Sequence, residues 1–330
     1  AYPRLCSSSV RLSSPPLGDR GNFVSLLPAL VAIGHGLQRR KVRKKIISRR
    51  SEICRMEARG EVDFGQPVDV NKNECALDID GNPVVSCAGA GIFVFWQLGA
   101  LKYITTHFDL SAATLHGGSA GAVLSTFIAS GVDLNDAIRV SYDIGIQNKV
   151  WDRWSHMGLF GPLIKQWLEI LLPKDAHMRC SGRVRLLLTQ MPALRQQFVS
   201  EFHSREDLIT AVMASIHVPF YLNFKPLKSF RGRYYMDGTL EDFISRKNSP
   251  ILGCDGKAFV VDYYQDPKLS FGRLDFLRLK THKEVLQLVR NGFQFARQLD
   301  IEGSLEPCLG KVRILEPGDP SRIQSHVRRA

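Results

Sequence analysis

Apolar positions are unevenly distributed along this 330-residue chain, and their spacing changes from segment to segment. After the turn Asp80-Gly81-Asn82-Pro83, the run Val84-Val85-Ser86-Cys87 reads as a buried strand. Ala88-Gly89-Ala90-Gly91 is a loop of small residues, and the apolar segment Ile92 to His107 has helical length. Ala113-Thr114-Leu115-His116 predicts a second strand, Asn135 to Asp143 a helix, and Pro162 to Leu172 another that Pro173 stops. Val184 to Thr189 predicts a strand. Ser204 and Asp207 precede the apolar run Leu208, Ile209, Val212 and Met213, the pattern of a helix cap. Two strands are predicted to end in aspartate, Tyr234-Tyr235-Met236 at Asp237 and Lys257 to Val261 at Asp262. From Thr281 to Leu299, Val285, Leu288, Val289, Phe293, Ala296 and Leu299 fall at helical spacing. Strands alternate with helices, which predicts an α/β fold with a mostly parallel central sheet. No internal repeat is visible.

The chemistry starts at Gly117-Gly118-Ser119-Ala120-Gly121, between the second strand and the apolar run Ala122 to Ala129. A Gly-x-Ser-x-Gly between strand and helix is a nucleophile elbow. The chain must reverse sharply, and side chains at Gly117 and Gly121 would collide with the adjoining strand and helix. The serine hydroxyl then stands at a helix N-terminus, where free N–H groups favour developing negative charge. The five residues alone fit an ordinary small-residue turn equally well; the context favours the elbow. The loop Gly89-Ala90-Gly91 exposes backbone N–H groups suited to an oxyanion. The third glycine of a dinucleotide fingerprint is replaced by Val94, which counts against a nucleotide site. An oxyanion hole built near Gly91 and Ile92, with Ala120 as a further donor, is the better use.

Charge changes the picture of the ends. Residues 1–60 carry 13 Lys/Arg against Asp19, Glu52 and Glu57, a balance of +10. The whole chain is +12, so residues 61–330 carry only +2, and nucleic-acid binding by the domain is not expected. The predicted organisation is a basic extension over 1–60 and a catalytic domain over 61–330, with its core at about 84–262 and a C-terminal helix and strand. The extension is rich in Ser and Arg and poor in acid, as in a plastid or mitochondrial transit peptide. Phe23 to Leu37 is short for a membrane span but precedes the basic run Arg39 to Lys45, so an interfacial anchor is the alternative. Without a leader, the expected place is cytoplasmic and peripheral to membranes. Seven cysteines (6, 54, 75, 87, 180, 254 and 308) are odd in number and form no Cys-x-x-Cys, so reduced, mostly buried thiols are expected and no metal site is.

The serine needs a base. Asp80 and Asp255 lie before strands, in turns. Asp237 follows a strand, and function gathers at the carboxyl ends of strands in open parallel sheets. Asp262 ends a strand too and is its rival. A Ser-His-Asp triad would use His282; His217 and His116 read as structural.

These residues resemble the patatin-like phospholipases, in the adiponutrin and adipose triglyceride lipase branch. The likeness runs from about Val84 to Phe243. It rests on Ser86-Cys87-Ala88-Gly89-Ala90-Gly91, His116-Gly117-Gly118-Ser119-Ala120-Gly121, Leu172-Pro173-Lys174-Asp175-Ala176-His177, Ser181-Gly182-Arg183, Phe202 to Leu208, Ala214-Ser215-Ile216-His217-Val218-Pro219 and Tyr235-Met236-Asp237-Gly238. The resemblance implies a three-layer α/β/α sandwich and a lipid acyl hydrolase acting on glycerolipid esters. It implies a Ser119–Asp237 dyad without histidine, an oxyanion hole at Gly89, Ala90, Gly91 and Ile92, and no metal or organic cofactor. Two positions depart from the family pattern. Val94 stands where a third glycine is usual, and Thr239 where Gly or Ala follows Asp-Gly. Val94 is expected to stiffen the loop and Thr239 to narrow the pocket near the base. A lipid-binding protein without turnover and an acyltransferase are the alternatives. The expected partner is a membrane or lipid-droplet surface. Trp151, Trp154 and Trp167, with Met157, Leu159 and Phe160, form either a lid or docking segment or a buried helix.

Overall fold

The computed structural model describes residues 75–152, 158–240, 251–255, 257–269 and 275–314. The basic extension 1–60, Trp154, Met157 and Phe243 lie outside the described residues. Seven strands and eight α-helices follow one another among them: β1 (Val84–Cys87), α1 (Val94–His107), β2 (Thr114–Gly118), α2 (Ala120–Ser130), α3 (Leu134–Gln147), α4 (Phe160–Leu171), α5 (Ala176–Cys180), β3 (Val184–Met191), β4 (Arg195–Val199), α6 (Arg205–Ser215), β5 (Lys228–Phe230), β6 (Arg233–Asp237), β7 (Phe259–Val261), α7 (His282–Ile301) and α8 (Glu306–Leu309). Helices surround one central sheet in an α/β architecture, as expected.

The middle of the sheet, β7-β1-β2-β3, is parallel. β1 and β2 are buried at every position, which explains their near-continuous small and apolar sequence. β4, β5 and β6 join antiparallel. β4 pairs with Leu186–Gln190 of β3, overlapping the β2 pairing (Val184–Leu187) and the β6 pairing (Leu188–Met191). A strand has two edges, so β2 and β6 lie end to end along the other edge of β3. They approach carboxyl end to carboxyl end: Gly118 pairs with Leu187 and Asp237 with Leu188. Asp237 therefore does not sit on the shared edge of a parallel sheet, as its sequence context implied. An antiparallel strand delivers it to the same point.

α1 is buried almost all round, with Trp96, Leu98, Leu101 and Ile104 at 0–1% exposure. A helix of that kind needs cover on both sides. The sheet covers one side and α7 the other. Gly99 and Gly292 let the two helices meet backbone to backbone: a Cβ on Gly99 would lie 1.9 Å from the Val289 carbonyl, and one on Gly292 1.9 Å from that of Trp96. Each fully buried large side chain of α1 contributes about 1.5–3 kcal/mol. The Trp96 indole donates to Asp266 Oδ2 at 2.8 Å, satisfying its one polar atom. α7 begins in a capping box between Thr281 and Glu284, and Ser204 caps α6 by accepting from Asp207 N.

One expectation is corrected. Cys75 and Cys308 form a disulfide, with Cα atoms 5.1 Å apart, while Cys87, Cys180 and Cys254 are free. A pair 233 residues apart in sequence carries no spacing signal, and the fold alone brings it within bridging range. After α7 the described residues hold α8, a short 3₁₀ turn and an isolated bridge from Phe108 to Arg313, and the rest of the expected C-terminal strand, past 314, lies outside them. β4 and β5 were not expected. β4 is Arg-Gln-Gln-Phe-Val, exposed or half-buried throughout, so its sequence shows no clean apolar alternation.

Gly292→Val should force α7 away from α1. Overpacking at such a site costs about 1–3 kcal/mol, so the thermal midpoint should fall by several degrees. An unchanged melt would mean that the two helices do not meet at Gly292.

Candidate active site

β2 ends at Gly118 and α2 starts at Ala120, so Ser119 alone makes the turn between them. Its backbone adopts φ 53°, ψ −130°, a strained conformation for a residue with a side chain. The surrounding glycines are sterically required. A Cβ on Gly117 would lie 2.6 Å from the Gly121 carbonyl, and one on Gly121 2.0 Å from that of Cys87. Ser119 N donates to Ser215 Oγ at 3.3 Å, and Ser215 Oγ donates to the Leu187 carbonyl at 2.7 Å. Ser215, the last residue of α6, thus ties the elbow to β3. Sequence reasoning missed this role: nothing in a small residue at a helix end marks it as a link between strands.

Asp237 ends β6 with 2% exposure. Its N–H donates to the His217 carbonyl at 2.8 Å, its carbonyl accepts from Thr189 Oγ1 at 2.9 Å, and Gly238 N donates to the Ser215 carbonyl at 3.0 Å. The backbone is therefore pinned by α6 and β3 together. The carboxylate is asymmetrically served. Oδ1 accepts from the Thr239 N–H (2.8 Å) and hydroxyl (2.9 Å), while Oδ2 is buried with no hydrogen-bond partner among the described residues. Burial raises the Asp237 pKa from 3.8 to about 6; the Ser119 hydroxyl and the two Thr239 donors pull against that rise. The Ser119 hydroxyl thus acts on the carboxylate without being seated on Oδ2, and catalytic contacts are commonly loose before substrate binds.

Opposite the elbow, β1 runs into Gly89, Ala90, Gly91 and Ile92. Gly91 and Ile92 open a 3₁₀ turn that Phe93 N closes onto the Ala90 carbonyl at 3.0 Å. Gly91 has φ +51°, and a Cβ there would lie 2.3 Å from the Phe276 carbonyl. Gln97, buried on α1, donates through Nε2 to the carbonyls of Ala88 and Val261, both at 2.9 Å, and so clamps the loop between β1 and β7. Its signal was a lone amide within the apolar first half of the helix, Val94 to Leu101. Val94, in place of a third glycine, opens α1, where its N–H closes the preceding turn onto Gly91 and Ile92.

Ser119, Ala120, Gly91 and Ile92 line one part of an apolar cavity of about 200 Å³. Its walls include Val123, Ile138, Ile144, Leu163, Trp167 and Val285. Trp167 is buried there, its indole donating to the Ala137 carbonyl and its ring edge-on to Phe127. The segment read as a lid or a buried helix is thus, at α4, a buried cavity wall. A second cleft of about 570 Å³ lies beside Arg179 and Arg183, where Arg183 is spent on the carbonyls of Leu110, Ala113 and Ala129.

The rival residues lie elsewhere. Asp262 caps a 3₁₀ turn by accepting from Tyr264 N. Asp80 and Asp255 are exposed in turns. His282 stacks on Tyr142, with ring centroids 3.8 Å apart, and also lines the cavity. His217 contacts the Lys225 carbonyl, and burial lowers its pKa. His116 packs on Phe198, and burial pushes its pKa down to about 4.

A strained serine on a strand-to-helix turn, a buried aspartate one β3 position away and a glycine-rich loop thus meet at one end of the sheet. Residues 85–247 match the model of the patatin-like phospholipase family, so this stretch, close to half of the chain, is a patatin-like phospholipase domain. The chain is 31% identical over 185 residues to human 1-acylglycerol-3-phosphate O-acyltransferase PNPLA3, covering 51% of this chain and 37% of that protein. It is 30% identical over 170 residues to human omega-hydroxyceramide transacylase, covering 49% and 31%. It is 27% identical over 249 residues to human patatin-like phospholipase domain-containing protein 5, covering 73% and 53%. The chain thus spans about a third to a half of the length of these relatives. The crystal structure of VipD from Legionella pneumophila overlaps 69% of this chain and 70% of that one at a TM-score of 0.41 and 12% identity, too loosely to add to the family match.

The buried carboxyl has a consequence for stability. Because folding raises the Asp237 pKa, the folded state holds the proton more tightly than the unfolded chain. That contribution is complete below about pH 4 and is lost as pH rises through about 6, a change of about 3 kcal/mol. Asp237→Asn should therefore unfold at higher urea than the wild type at pH 8, with the advantage vanishing near pH 4. An advantage independent of pH would show that the carboxyl is not the cause.

Proposed function

We propose that this domain is a lipid acyl hydrolase that cleaves carboxylic esters of glycerolipids. The observation that carries the reading is the uncompensated Asp237 carboxylate beside a strained serine at the head of an apolar cavity. In this reading Ser119 Oγ attacks the ester carbonyl and its proton passes to Asp237. The tetrahedral oxyanion is held by backbone N–H groups from Gly89 to Ile92, with Ala120. The carbon–oxygen bond to the alcohol breaks, and the alcohol leaves with the proton from Asp237. Water then attacks the acyl-enzyme, again giving its proton to Asp237, and the fatty acid is released with Ser119 restored. The cavity walls suit an acyl chain.

Ser119→Ala and Asp237→Asn should each lower kcat/KM on a short-chain ester by at least about 10³-fold. Fluorophosphonate should label the wild type and not Ser119→Ala. The base must be ionised, so wild-type kcat/KM should climb with pH through about 6 and level off above it. Activity that survives Asp237→Asn but falls in an Asp262 or His282 variant would move the base elsewhere. The acyltransferase and transacylase names of two relatives favour a second reading, in which an alcohol replaces water at the acyl-enzyme. Product analysis with a lysolipid or alcohol acceptor separates the two. A folded wild type that neither labels nor turns over, yet binds lipid, would leave only a binding role.

Among the described residues no helix is long and apolar enough to cross a membrane, and we place the lipid contact on the loop after α6. Phe220 and Phe224 are 40% and 66% exposed, both at positive φ, while Tyr221 and Leu222 between them line the cavity. Burial and the charges of Lys225 and Lys165 lower the Lys228 pKa against the pull of Glu206, while Lys165 pairs with Glu169, which leaves Lys225 beside the two rings. Aromatic rings flanked by a cation suit an anionic bilayer. Phe220→Ser with Phe224→Ser should weaken sedimentation with phosphatidylserine-containing vesicles by about tenfold or more, and spare turnover of a soluble ester. Unchanged sedimentation would place the contact elsewhere.

A further inference from the structure

We propose that Thr239 is a positioning residue that immobilises Asp237 Oδ1 and thereby makes Oδ2 the oxygen that takes the Ser119 proton. The proposal rests on the hydrolase reading and goes beyond it, because it assigns separate tasks to the two carboxylate oxygens. Thr239 is buried at 8% exposure and gives Oδ1 two donors, its N–H at 2.8 Å and its hydroxyl at 2.9 Å. An oxygen that already accepts two hydrogen bonds is a poor acceptor for a third proton. Oδ2, equally buried, has none.

The Thr239 side chain cannot turn away. A Cβ on Gly89 would lie 2.1 Å from its Oγ1, and a Cβ on Gly118 would lie 2.5 Å from its Cγ2. The side chain thus fills the space left by one glycine of the N–H loop and one of the elbow, which holds its hydroxyl on Oδ1. The following contacts fix the turn itself: Gly238 N donates to the Ser215 carbonyl, and Gln196 Nε2 donates to the Gly238 carbonyl at 2.8 Å. A Cβ on Gly238 would sit 2.0 Å from the Leu187 carbonyl, so this turn has no alternative path. Among the described residues no charged side chain contributes to the Asp237 pKa, and Ser119 and Thr239 are the groups that stabilise its charged form.

Thr239→Val removes the hydroxyl at nearly constant volume, and Thr239→Ser keeps it. Two readouts are used: the carboxyl ¹³C titration of Asp237 by NMR, identified by its loss in Asp237→Asn, and the pH profile of kcat/KM on a short-chain ester. Losing a hydrogen bond to the charged form should raise the Asp237 midpoint. Thr239→Val is expected to move both midpoints up by about one pH unit, while Thr239→Ser overlays the wild type. Thr239→Ala provides the same comparison if the valine variant does not fold. Midpoints unchanged in Thr239→Val, or shifted equally in Thr239→Ser, would overturn the proposal. A shifted NMR midpoint in a wild-type background without esterase activity would sink the hydrolase reading instead, and leave the Thr239–Asp237 contact standing.

Discussion

A carboxyl group enclosed by protein, with no cation among the described residues to balance it, is the constraint around which this domain is arranged. Desolvation of such a group opposes folding at neutral pH, and only hydrogen-bond donors offset it. The donors that Asp237 receives come from its own turn, through Thr239, and that turn is held by α6 and β3. The same α6 terminus reaches the elbow through Ser215. Ser119 and Asp237 are thus braced by one helix end, and neither depends on a flexible side chain for its place. A strained serine and a destabilised carboxylate can persist only where their surroundings are this closely determined.

The sheet supplies that surrounding. Parallel strands alone would put the elbow and the Gly89–Ile92 loop side by side, both leaving carboxyl ends on the same edge. The third component arrives differently, on a strand running the opposite way. The apolar cavity then falls between α1, α3, α4 and α7, which gives the buried faces of these helices a second use: they close the core and wall the cavity beside Ser119.

The elements legible in the sequence were those whose signals are local. The elbow announced itself by its glycines, because Gly117 and Gly121 both face backbone within about 3 Å. α1, α4 and α7 announced themselves by apolar length or period, and the cap of α6 by Ser204. Asp237 could be preferred over Asp262 only through the pattern around it, since both end strands; what separates them is that Asp262 spends its carboxylate on a 3₁₀ turn. What stayed hidden is relational. The direction of β6, the bridge from Cys75 to Cys308, the reach of Ser215 and the clamp made by Gln97 all join residues distant in the chain, and none leaves a periodic trace. Thr239 was visible as a departure from a pattern, but its hydrogen bond to the base was not.

The end-to-end meeting of β2 and β6 on β3 has a consequence for how this gene can change. Leu187 and Leu188 act as the two adjacent marks of a ruler, one locating the elbow and the other the aspartate. One codon inserted between them would separate the marks by about 3.3 Å and turn everything beyond to the opposite face of the sheet. Substitutions in β3 that keep its bulk leave the spacing intact. At this strand, therefore, the reading frame of the fold is more exposed to a change in length than to a change in letters.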